Sequence, residues 1–317
     1  TQRALVMLAV ALGGVFLRRR TSPSALLATA LLAVLLVDPL AVMSPGFWLS
    51  FAAVAVILYA LSGVDAKDWK ERLIAWGRLQ WAIAAGLLPL LLFLFQQVSL
   101  SGPFANLVAI PVVELVVIPA TLLGVAGSFL LPDSLAAWPF LLAAKAMSIL
   151  WALLELLARV EGSQWSQHNP PLWTLGAALV GVLLLLAPRG VPARWLGLVW
   201  LLPMFLVRPA LPAPGEVRLT LLDVGQGLAV VAQTAGHTLV YDTGARLSAR
   251  FDAGRAVIVP YLRHTGAGRV DTLIVSHGDN DHIGGSASLL AAMPVTRVLS
   301  SVPERLANAE TCQSGQG

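Results

Sequence analysis

The stretch Asp271-Thr-Leu-Ile-Val-Ser-His-Gly-Asp-Asn-Asp-His-Ile-Gly-Gly285 joins a short apolar segment to a cluster of polar side chains. Residues 272–275 are largely β-branched, which predicts a buried strand. The cluster that follows offers two imidazoles and two carboxylates within six positions, namely His277, Asp279, Asp281 and His282. A plain surface turn needs only Asp, Asn and Gly, whereas this donor set can bind divalent metal ions. We therefore favour a metal site over a solvated loop.

The spacing divides these donors into two pairs. Side chains two positions apart on an extended backbone point the same way, so His277 and Asp279 are expected to bind one ion. As the chain turns, Asp281 and His282 are expected to approach a second ion. Gly284 and Gly285 then allow a tight turn without a Cβ, before an Ala/Leu-rich helix predicted over 287–292.

Composition indicates a membrane protein with a soluble tail. Of the 317 residues, 57% are hydrophobic and 12% charged, and the mean hydropathy is +0.78; soluble domains carry about 25% charged residues. The net charge of +4 does not by itself indicate nucleic acid. The single cysteine, Cys312, excludes an internal disulfide and a thiolate metal cluster. The N-terminus lacks a signal-peptide layout, and we expect the sequence to be a fragment at both ends.

Eight apolar segments are candidate membrane spans, although several are shorter than the roughly 20 residues that one crossing needs. They are Ala4–Leu17, Ser24–Asp38, Phe47–Leu61, Trp81–Gln97, Phe104–Leu131, Trp138–Ala158, Leu172–Ala187 and Trp195–Val207. Basic residues fall on alternating connections between them: Arg18, Arg19 and Arg20; then Lys67, Lys70, Arg72 and Arg78; then Arg189 and Arg194. With basic loops in the cytoplasm, the eighth span delivers the C-terminal tail to the exterior.

The segment Phe104–Leu131 contains Pro111 and Pro119, and is either one crossing or a broken helix. Two crossings there would place the last basic loop outside, so we predict one net crossing. Glu114 lies between the two prolines. An ionisable group inside the membrane is unfavourable in free energy unless it pairs or faces water, so Glu114 is a candidate for lining a substrate pathway. We expect Glu114→Gln to reduce transport without preventing insertion.

Two further charged residues lie in the sixth candidate span. For Lys145 and Glu155 a pathway role is weighed against two structural alternatives. They either extend towards an interface or pair with other charges.

The sequence pattern changes at residues 209–215, which we interpret as a linker between a polytopic domain over 1–208 and an α/β domain over 216–317. Short strands are predicted at 217–223, 228–233 and 237–242, joined as an antiparallel meander. A helix capped by Asp252 is predicted over 254–263, then the strand 272–276, the helix 287–292 and a strand at 296–300. Strands first and then alternating helices predict an α/β layered fold.

Two more acids end predicted strands. Asp223 opens Asp-Val-Gly-Gln-Gly and Asp242 opens Asp-Thr-Gly. Each either accepts a hydrogen bond from a ligating histidine or simply shapes a turn. His237 and His264 have no ligand pattern around them and are expected to be surface residues.

These motifs together resemble a known family. Asp223-Val-Gly-Gln-Gly, Asp242-Thr-Gly and Ser276-His-Gly-Asp-Asn-Asp-His-Ile-Gly-Gly resemble the opening half of a metallo-β-lactamase-like domain, in the version fused to the ComEC family of competence channels. Asp38-Pro39, the stretch from Pro45 to Phe51 and Asn106-Leu-Val-Ala-Ile-Pro111 resemble that family's membrane region. The resemblance implies a truncated αββα fold. It also implies DNA internalisation across the bacterial cytoplasmic membrane during natural transformation.

The resemblance also implies the site. His277, Asp281 and His282 match three positions of the His-x-His-x-Asp-His pattern, and Asp279 replaces its second histidine, as in the ComEC version. The implied site holds two divalent ions. A carboxylate at position 279 is a harder ligand than an imidazole, which extends the expected metals from zinc to manganese or magnesium. Asp281 would accept a proton from the nucleophile in a nuclease that degrades one strand. The later ligands would lie beyond Gly317, so we expect little activity from this chain alone.

Two alternatives remain open from the sequence. One is a membrane-anchored metallohydrolase of another ester, and the other is a DNA channel whose lactamase-like domain is inactive. The expected partners are single- or double-stranded DNA, the lipid bilayer and other competence proteins. The sequence does not indicate the oligomeric state.

Overall fold

The structure is a computed structural model that describes residues 2–16, 22–62, 68–160, 162–188, 190–248, 251–306 and 308–311. The predictions made for Arg18–Arg20, Lys67, Arg189 and Cys312 lie outside the described residues. The chain divides into two compact units. A helical unit comprises Thr1–Ser166 and Leu172–Met204, and a sheet unit comprises Gln167–Pro171 and Phe205–Gly317.

The helical unit is built from nine α-helical segments among the described residues. They are α1 (Gln2–Phe16), α2 (Pro23–Val37), α3 (Pro45–Leu61), α4 (Trp69–Phe95), α5 (Gly102–Val112), α6 (Ile118–Leu130), α7 (Asp133–Ala158), α8 (Leu172–Leu186) and α9 (Leu196–Leu206). Three helices in the described residues are long and apolar enough to cross a membrane: Trp69–Phe95, Gly102–Leu130 and Asp133–Ala158. The helical character of this region is therefore confirmed.

Helix α4 begins at Trp69, earlier than the span predicted from Trp81. Lys70, Arg72 and Arg78 therefore lie on a helix, and their assignment to a connecting loop was wrong. Hydropathy marks only the apolar part of a helix, because it does not respond to turns that carry charged side chains. Helix α7 likewise begins before Trp138, at Asp133.

Segment 102–130 forms one continuous helix, and its single membrane crossing stays a prediction. Helices α5 and α6 are joined by a π-helical turn over Val113–Val117, and Pro119 lies at the start of α6. A proline ring collides with the carbonyl four residues earlier, here that of Leu115, and a wider turn relieves the collision. The second proline thus widens the helix without ending it.

A two-stranded antiparallel ribbon was not predicted. Strand β1 (Gln97–Ser99) pairs with β2 (Gln164–Ser166), with Val98 opposite Trp165. Each strand has three residues, too few for an alternating pattern to be recognised. The ribbon joins the α4–α5 connection to the α7–α8 connection.

The sheet unit holds one six-stranded sheet. Its strands, in spatial order, are β3 (Arg218–Leu221), β4 (Val230–Gln233), β5 (Thr238–Tyr241), β6 (Val270–Val275), β7 (Val295–Ser300) and β8 (Ala309–Thr311). Strands β3 to β5 form the predicted antiparallel meander, and β5 to β8 pair in parallel. The helices are α10 (Val259–His264), α11 (Asn280–Ile283) and α12 (Ser286–Ala292). The α/β prediction is confirmed, although the meander strands are shorter than expected.

The sheet's core is made of branched aliphatic side chains. Val231, Val240, Leu262, Leu273 and Leu289 are all fully buried. They come from β4, β5, β6 and the helices that cover them. This packing fixes the ends of β5 and β6 side by side, which positions the polar groups described next.

Asp252 caps the start of a helical segment, as predicted. Its Oδ1 accepts a hydrogen bond from the Arg255 amide at 2.9 Å, and its Oδ2 accepts one from Ser288 Oγ on α12. The segment opens with a π-helical turn over Gly254–Ile258 and continues as α10, with Pro260 in its first turn. Pro260 follows the π-helical turn as Pro119 does, and the wider turn relieves the collision of its ring with the Ala256 carbonyl.

Candidate metal centre

The four predicted ligands follow the carboxyl end of β6. His277 and Asp279 lie in the loop after the strand, and Asp281 and His282 lie in the short helix α11. His277, Asp281 and His282 are partly buried, while Asp279 is exposed. The imidazole rings of His277 and His282 are in contact, with centroids 3.8 Å apart. The window therefore gathers all four side chains at one edge of the sheet.

The side chains approach one another in the two predicted pairs. His277 Nδ1 lies 3.3 Å from Asp279 Oδ2, and His282 Nε2 lies 3.5 Å from Asp281 Oδ2. Metal–donor bonds of about 2.0–2.2 Å at tetrahedral angles separate two ligands of one ion by roughly 3.3–3.6 Å. Each pair therefore has the spacing of two ligands to one ion. That these residues bind metal remains a prediction.

The donors do not form larger sets. Within the described residues, no three His, Cys, Asp or Glu side chains come together as a metal-binding group. The two donors of each pair fit one side of an ion. An ion that is bound tightly needs three or four protein ligands. The two pairs alone would therefore supply only part of a coordination sphere.

Asp242 holds His282 in place. The Asp242 side chain is fully buried, and its Oδ2 lies 2.7 Å from His282 Nδ1. Nδ1 faces the carboxylate, which accepts a hydrogen bond from it, and Nε2 faces Asp281. Asp242 was expected either to accept a hydrogen bond from a histidine or to shape a turn. The structure shows the contact with the histidine.

Asp242 also fixes the end of β6. Its Oδ1 accepts the Ser276 amide at 2.8 Å, and its Oδ2 accepts Ser276 Oγ at 2.7 Å. Asp242 itself has a left-handed backbone, with φ of 59°, a conformation that Asp adopts more readily than most residues. One buried carboxylate thus joins the residue that ends β5, the residue that ends β6 and the imidazole of α11.

Thr243 anchors the backbone of α11. Its amide donates to the His282 carbonyl at 2.7 Å, and its Oγ1 donates to the same oxygen at 2.8 Å. The Leu228 amide donates to the Asp281 carbonyl at 3.1 Å. Asp281 and His282 are therefore held through their main-chain oxygens, and these bonds do not involve their side chains.

Close packing against other backbone segments requires glycine at positions 284 and 285. Both have right-handed backbone conformations, so neither is selected for a left-handed turn. A Cβ on Gly284 would collide with the Arg246 amide, and one on Gly285 with the Gly254 amide and the Thr243 carbonyl. The predicted need for a missing Cβ is explained by this backbone packing.

Asp223 behaves differently from Asp242. Its Oδ1 accepts the Gly225 amide at 3.1 Å, which shapes the turn between β3 and β4. The other role considered for Asp223 was a contact with a ligating histidine. The described residues show no such contact. His237 and His264 are exposed, as predicted.

The predicted pathway residue lies in the other unit. Glu114 is exposed on the π-helical turn of the helical unit, and π turns recur at functional sites. Glu155 pairs with Arg159 at 3.8 Å and accepts a hydrogen bond from Trp151 Nε1 at 2.7 Å. Glu155 therefore fits the structural role considered for it.

Sequence reasoning missed several residues that shape the site. Asn280 bonds the Arg246 backbone through both its Oδ1 and its Nδ2, and Arg305 donates to the Gly278 carbonyl at 2.7 Å. Asn280 stood inside the quoted window, but its partner is 34 positions away. No local pattern reveals such a contact.

Comparison with known proteins decides the family. Residues 1–192, more than half of the chain, match the family described as Competence protein. This chain is a competence family protein. Residues 222–309 match the Metallo-beta-lactamase superfamily. The ComEC resemblance inferred from the motifs is thereby confirmed, together with the lactamase-like α/β domain.

Individual relatives agree with this membership. The competence protein ComA of Neisseria gonorrhoeae is 35% identical over 98% of this chain and 42% of its own length. The uncharacterized protein YcaI of Escherichia coli is 32% identical over 85% of this chain and 36% of its own. ComE operon protein 3 of Bacillus subtilis is 28% identical over 94% of this chain and 40% of its own.

The chain thus spans about two fifths of the length of these curated relatives. No solved structure matches the chain. Membership of the competence family and the long apolar helices together identify a membrane protein.

Proposed function

We propose that this competence family protein takes part in moving DNA across the bacterial cytoplasmic membrane, with its lactamase-like domain acting on one strand as a metal-dependent nuclease. The observation that carries the proposal is the Asp242–His282 bond at 2.7 Å beside the paired donors of one sheet edge. A buried carboxylate that fixes an imidazole tautomer is how proteins orient a metal-ligating histidine. The competence match supplies DNA as the substrate class.

Four residues would hold the metal ions. His277 and Asp279 would bind one ion, and Asp281 and His282 the other. Because carboxylates are hard ligands, manganese or magnesium suits this set, alongside zinc. Two bound ions would lower the pKa of a water and stabilise the charge that develops on a phosphodiester.

The chain's own residues have distinct tasks in this proposal. Asp242 keeps the proton on Nδ1 of His282, so that Nε2 stays a lone-pair donor. Asp281, 42% exposed beside that nitrogen, is placed to accept a proton from an attacking water. The hydrogen bonds from Thr243 and Leu228 hold α11 in register with β4 and β5, which keeps the two donor pairs adjacent.

The nuclease proposal is tested with purified protein that contains this chain, Mn²⁺ and end-labelled single-stranded DNA. We expect cleavage to fall by about 100-fold or more in His282→Ala and Asp281→Asn. His237→Ala, an exposed histidine in the same unit, should leave cleavage unchanged. Equal cleavage by the His282→Ala and His237→Ala variants would contradict the site. Cleavage of small esters without cleavage of DNA would favour an anchored hydrolase of another ester.

The transport part of the proposal is tested in cells. Loss of cleavage with intact DNA uptake in a His282→Ala strain would favour a channel whose lactamase-like domain is inactive. Reduced uptake in Glu114→Gln, at unchanged protein level in the membrane, would support the pathway role of Glu114. Uptake equal to the wild type in that variant would remove it.

We also propose that the sheet unit lies on the exterior face. Strands β1 and β2 pair the α4–α5 connection with the α7–α8 connection, which supports placing both connections on one side of the membrane. Both connections lack a strong basic cluster. His168, in the α7–α8 connection, contacts the Val207 carbonyl at 2.8 Å, just after α9. This contact supports placing the exit of α9 on that same side.

Thiol labelling tests this orientation. In a Cys312→Ala background, Leu247→Cys in the sheet unit should react with a membrane-impermeant maleimide added to intact spheroplasts. Arg72→Cys at the start of α4 should react only after the membrane is opened. The reverse pattern would place the sheet unit in the cytoplasm and overturn the proposal.

A further inference from the structure

The helical unit contains a cavity of about 600 Å³ that the proposed function does not use. It lies between the carboxyl ends of α3 and α8 and the middle of α4. Its walls are Ala and Leu side chains from these three helices, and its polar groups come from Arg78, Trp81 and Arg194. The described residues that line it include no carboxylate. The cavity is therefore apolar and positively charged.

The Arg194 guanidinium is fixed at the wall of the cavity. Its Nη2 donates to the Leu185 carbonyl at the end of α8, which fixes the guanidinium against the cavity wall. Its Nε is buried and has no hydrogen-bond partner among the described residues. A buried N–H without a partner is destabilising. The structure thus presents a guanidinium that is fixed at the cavity wall, with its Nε shielded from the cavity.

We propose that this cavity binds the phosphate group of an anionic phospholipid. A phosphate oxygen satisfies a guanidinium N–H with a charge-assisted hydrogen bond, and the planar group suits tetrahedral oxyanions. Arg78 and Arg194 provide two positive charges for one phosphodiester. The Ala and Leu walls provide the apolar surface that acyl chains need.

The surroundings favour a lipid over a nucleic acid. Trp81, more than half exposed on α4, is of the type that lies at the boundary between lipid and water. Basic pockets between membrane helices on the cytoplasmic side are known lipid headgroup sites in general. A nucleic-acid strand carries a phosphate at every nucleotide and needs an extended polar groove with stacking aromatics. A cavity with two arginines and aliphatic walls does not offer that.

The test measures thermal unfolding of the purified full chain in a neutral detergent. The added probes are dioleoylphosphatidylglycerol, dioleoylphosphatidylcholine, inorganic phosphate and a single-stranded oligonucleotide. We expect phosphatidylglycerol alone to raise the unfolding temperature in a saturable way. Arg78→Gln should weaken its apparent affinity about tenfold because one of the two phosphate-facing charges is removed.

Two further variants make the test specific. Arg194→Lys keeps the positive charge but removes the planar fork, and it should also weaken the affinity for phosphatidylglycerol. Arg72→Gln, an exposed arginine on α4 that does not line the cavity, should bind as the wild type does. Because Arg78 is exposed, its substitution is expected to leave the fold intact.

Several outcomes would overturn the proposal. These are equal affinities in the Arg78→Gln and Arg72→Gln variants, or stabilisation by inorganic phosphate that matches the lipid. Stabilisation by the oligonucleotide that is lost in Arg78→Gln would reassign the cavity to nucleic acid. Equal stabilisation by the two lipids, which share the phosphodiester but differ in net charge, would show that the cavity does not select an anionic lipid.

Discussion

The helical unit and the sheet unit place the same kinds of residues in opposite environments. Leu130 and Phe129 of α6 are 83% and 82% exposed, whereas Leu262 and Leu273 of the sheet unit are fully buried. In water, such exposed side chains would form a large apolar patch. In lipid they face a solvent as apolar as themselves. The difference shows that burial has to be judged against the solvent of each unit.

The two units also pack differently. Where α8 and α9 meet, Gly181 and Gly197 are so close that a Cβ on either would collide with the other's carbonyl. Without a hydrophobic driving force between helices in lipid, small residues allow close backbone contact. The sheet unit instead interlocks Val, Ile and Leu side chains and buries charged groups only where they are bonded, as with Asp242 and Asp252.

The largest effect is expected from Asp242→Ala. The substitution leaves His282 Nδ1 and two Ser276 donors without their buried acceptor, which should destabilise the site by about 3–5 kcal/mol. Hydrogen-exchange mass spectrometry should show faster exchange in β6 and α11, with α4 to α7 unchanged.

The matched control for this change is Asp223→Ala. Its carboxylate accepts one exposed turn amide, and the expected loss is about 1 kcal/mol or less. Comparable exchange in the two variants would mean that the Asp242 contacts do not hold the edge of the sheet.

Next in size is the contrast between two leucines. Leu273→Ala opens a cavity in the sheet core and should destabilise the sheet unit by about 2–5 kcal/mol. Leu130→Ala removes a side chain from the exposed surface of α6, and the expected change is within about 0.5 kcal/mol. Opening free energies from hydrogen exchange in lipid nanodiscs would measure both. A large loss in Leu130→Ala would show that this surface packs against protein.

A glycine pair gives a smaller effect. Gly285→Ala forces a Cβ into the backbones of Gly254 and Thr243, and overpacking of this kind destabilises by about 1–3 kcal/mol. Gly268→Ala has open space at its Cβ and should be neutral. Limited proteolysis of the sheet unit would report the difference. Equal protease resistance would indicate that the α12 backbone shifts freely.

The smallest predicted effect concerns pH. The Thr238 amide, 2.7 Å from Oδ2, and Arg269, 2.9 Å from Oδ1, hold the pKa of Asp271 below its usual range. A depressed pKa contributes stability that is present above the ordinary value near 4 and is lost as the pH falls through the folded value. The free energy of unfolding of the sheet unit should therefore fall less below pH 4 in Asp271→Asn than in the wild type, by about 1 kcal/mol. An unchanged slope in acid titrations of hydrogen exchange would contradict this.

Much of the architecture was accessible from sequence patterns. Long apolar runs predicted the helices, alternation predicted the meander, and the window from Asp271 to Gly285 predicted both donor pairs. These features are local, since each depends on residues within a few positions of one another. The start of α4 and the β1–β2 ribbon were missed because charged turns and three-residue strands lack a hydrophobic signal.

By itself, the sequence determined which groups could bind metal and that the first part of the chain suits lipid, because composition and short spacing are properties of the chain alone. Tertiary structure decided the roles of the two strand-end acids. Asp242 contacts an imidazole 40 positions away because parallel pairing places β5 beside β6, while Asp223, at the edge strand, only closes its own turn. Such contacts arise from how strands are ordered in the sheet, and no local pattern encodes that order.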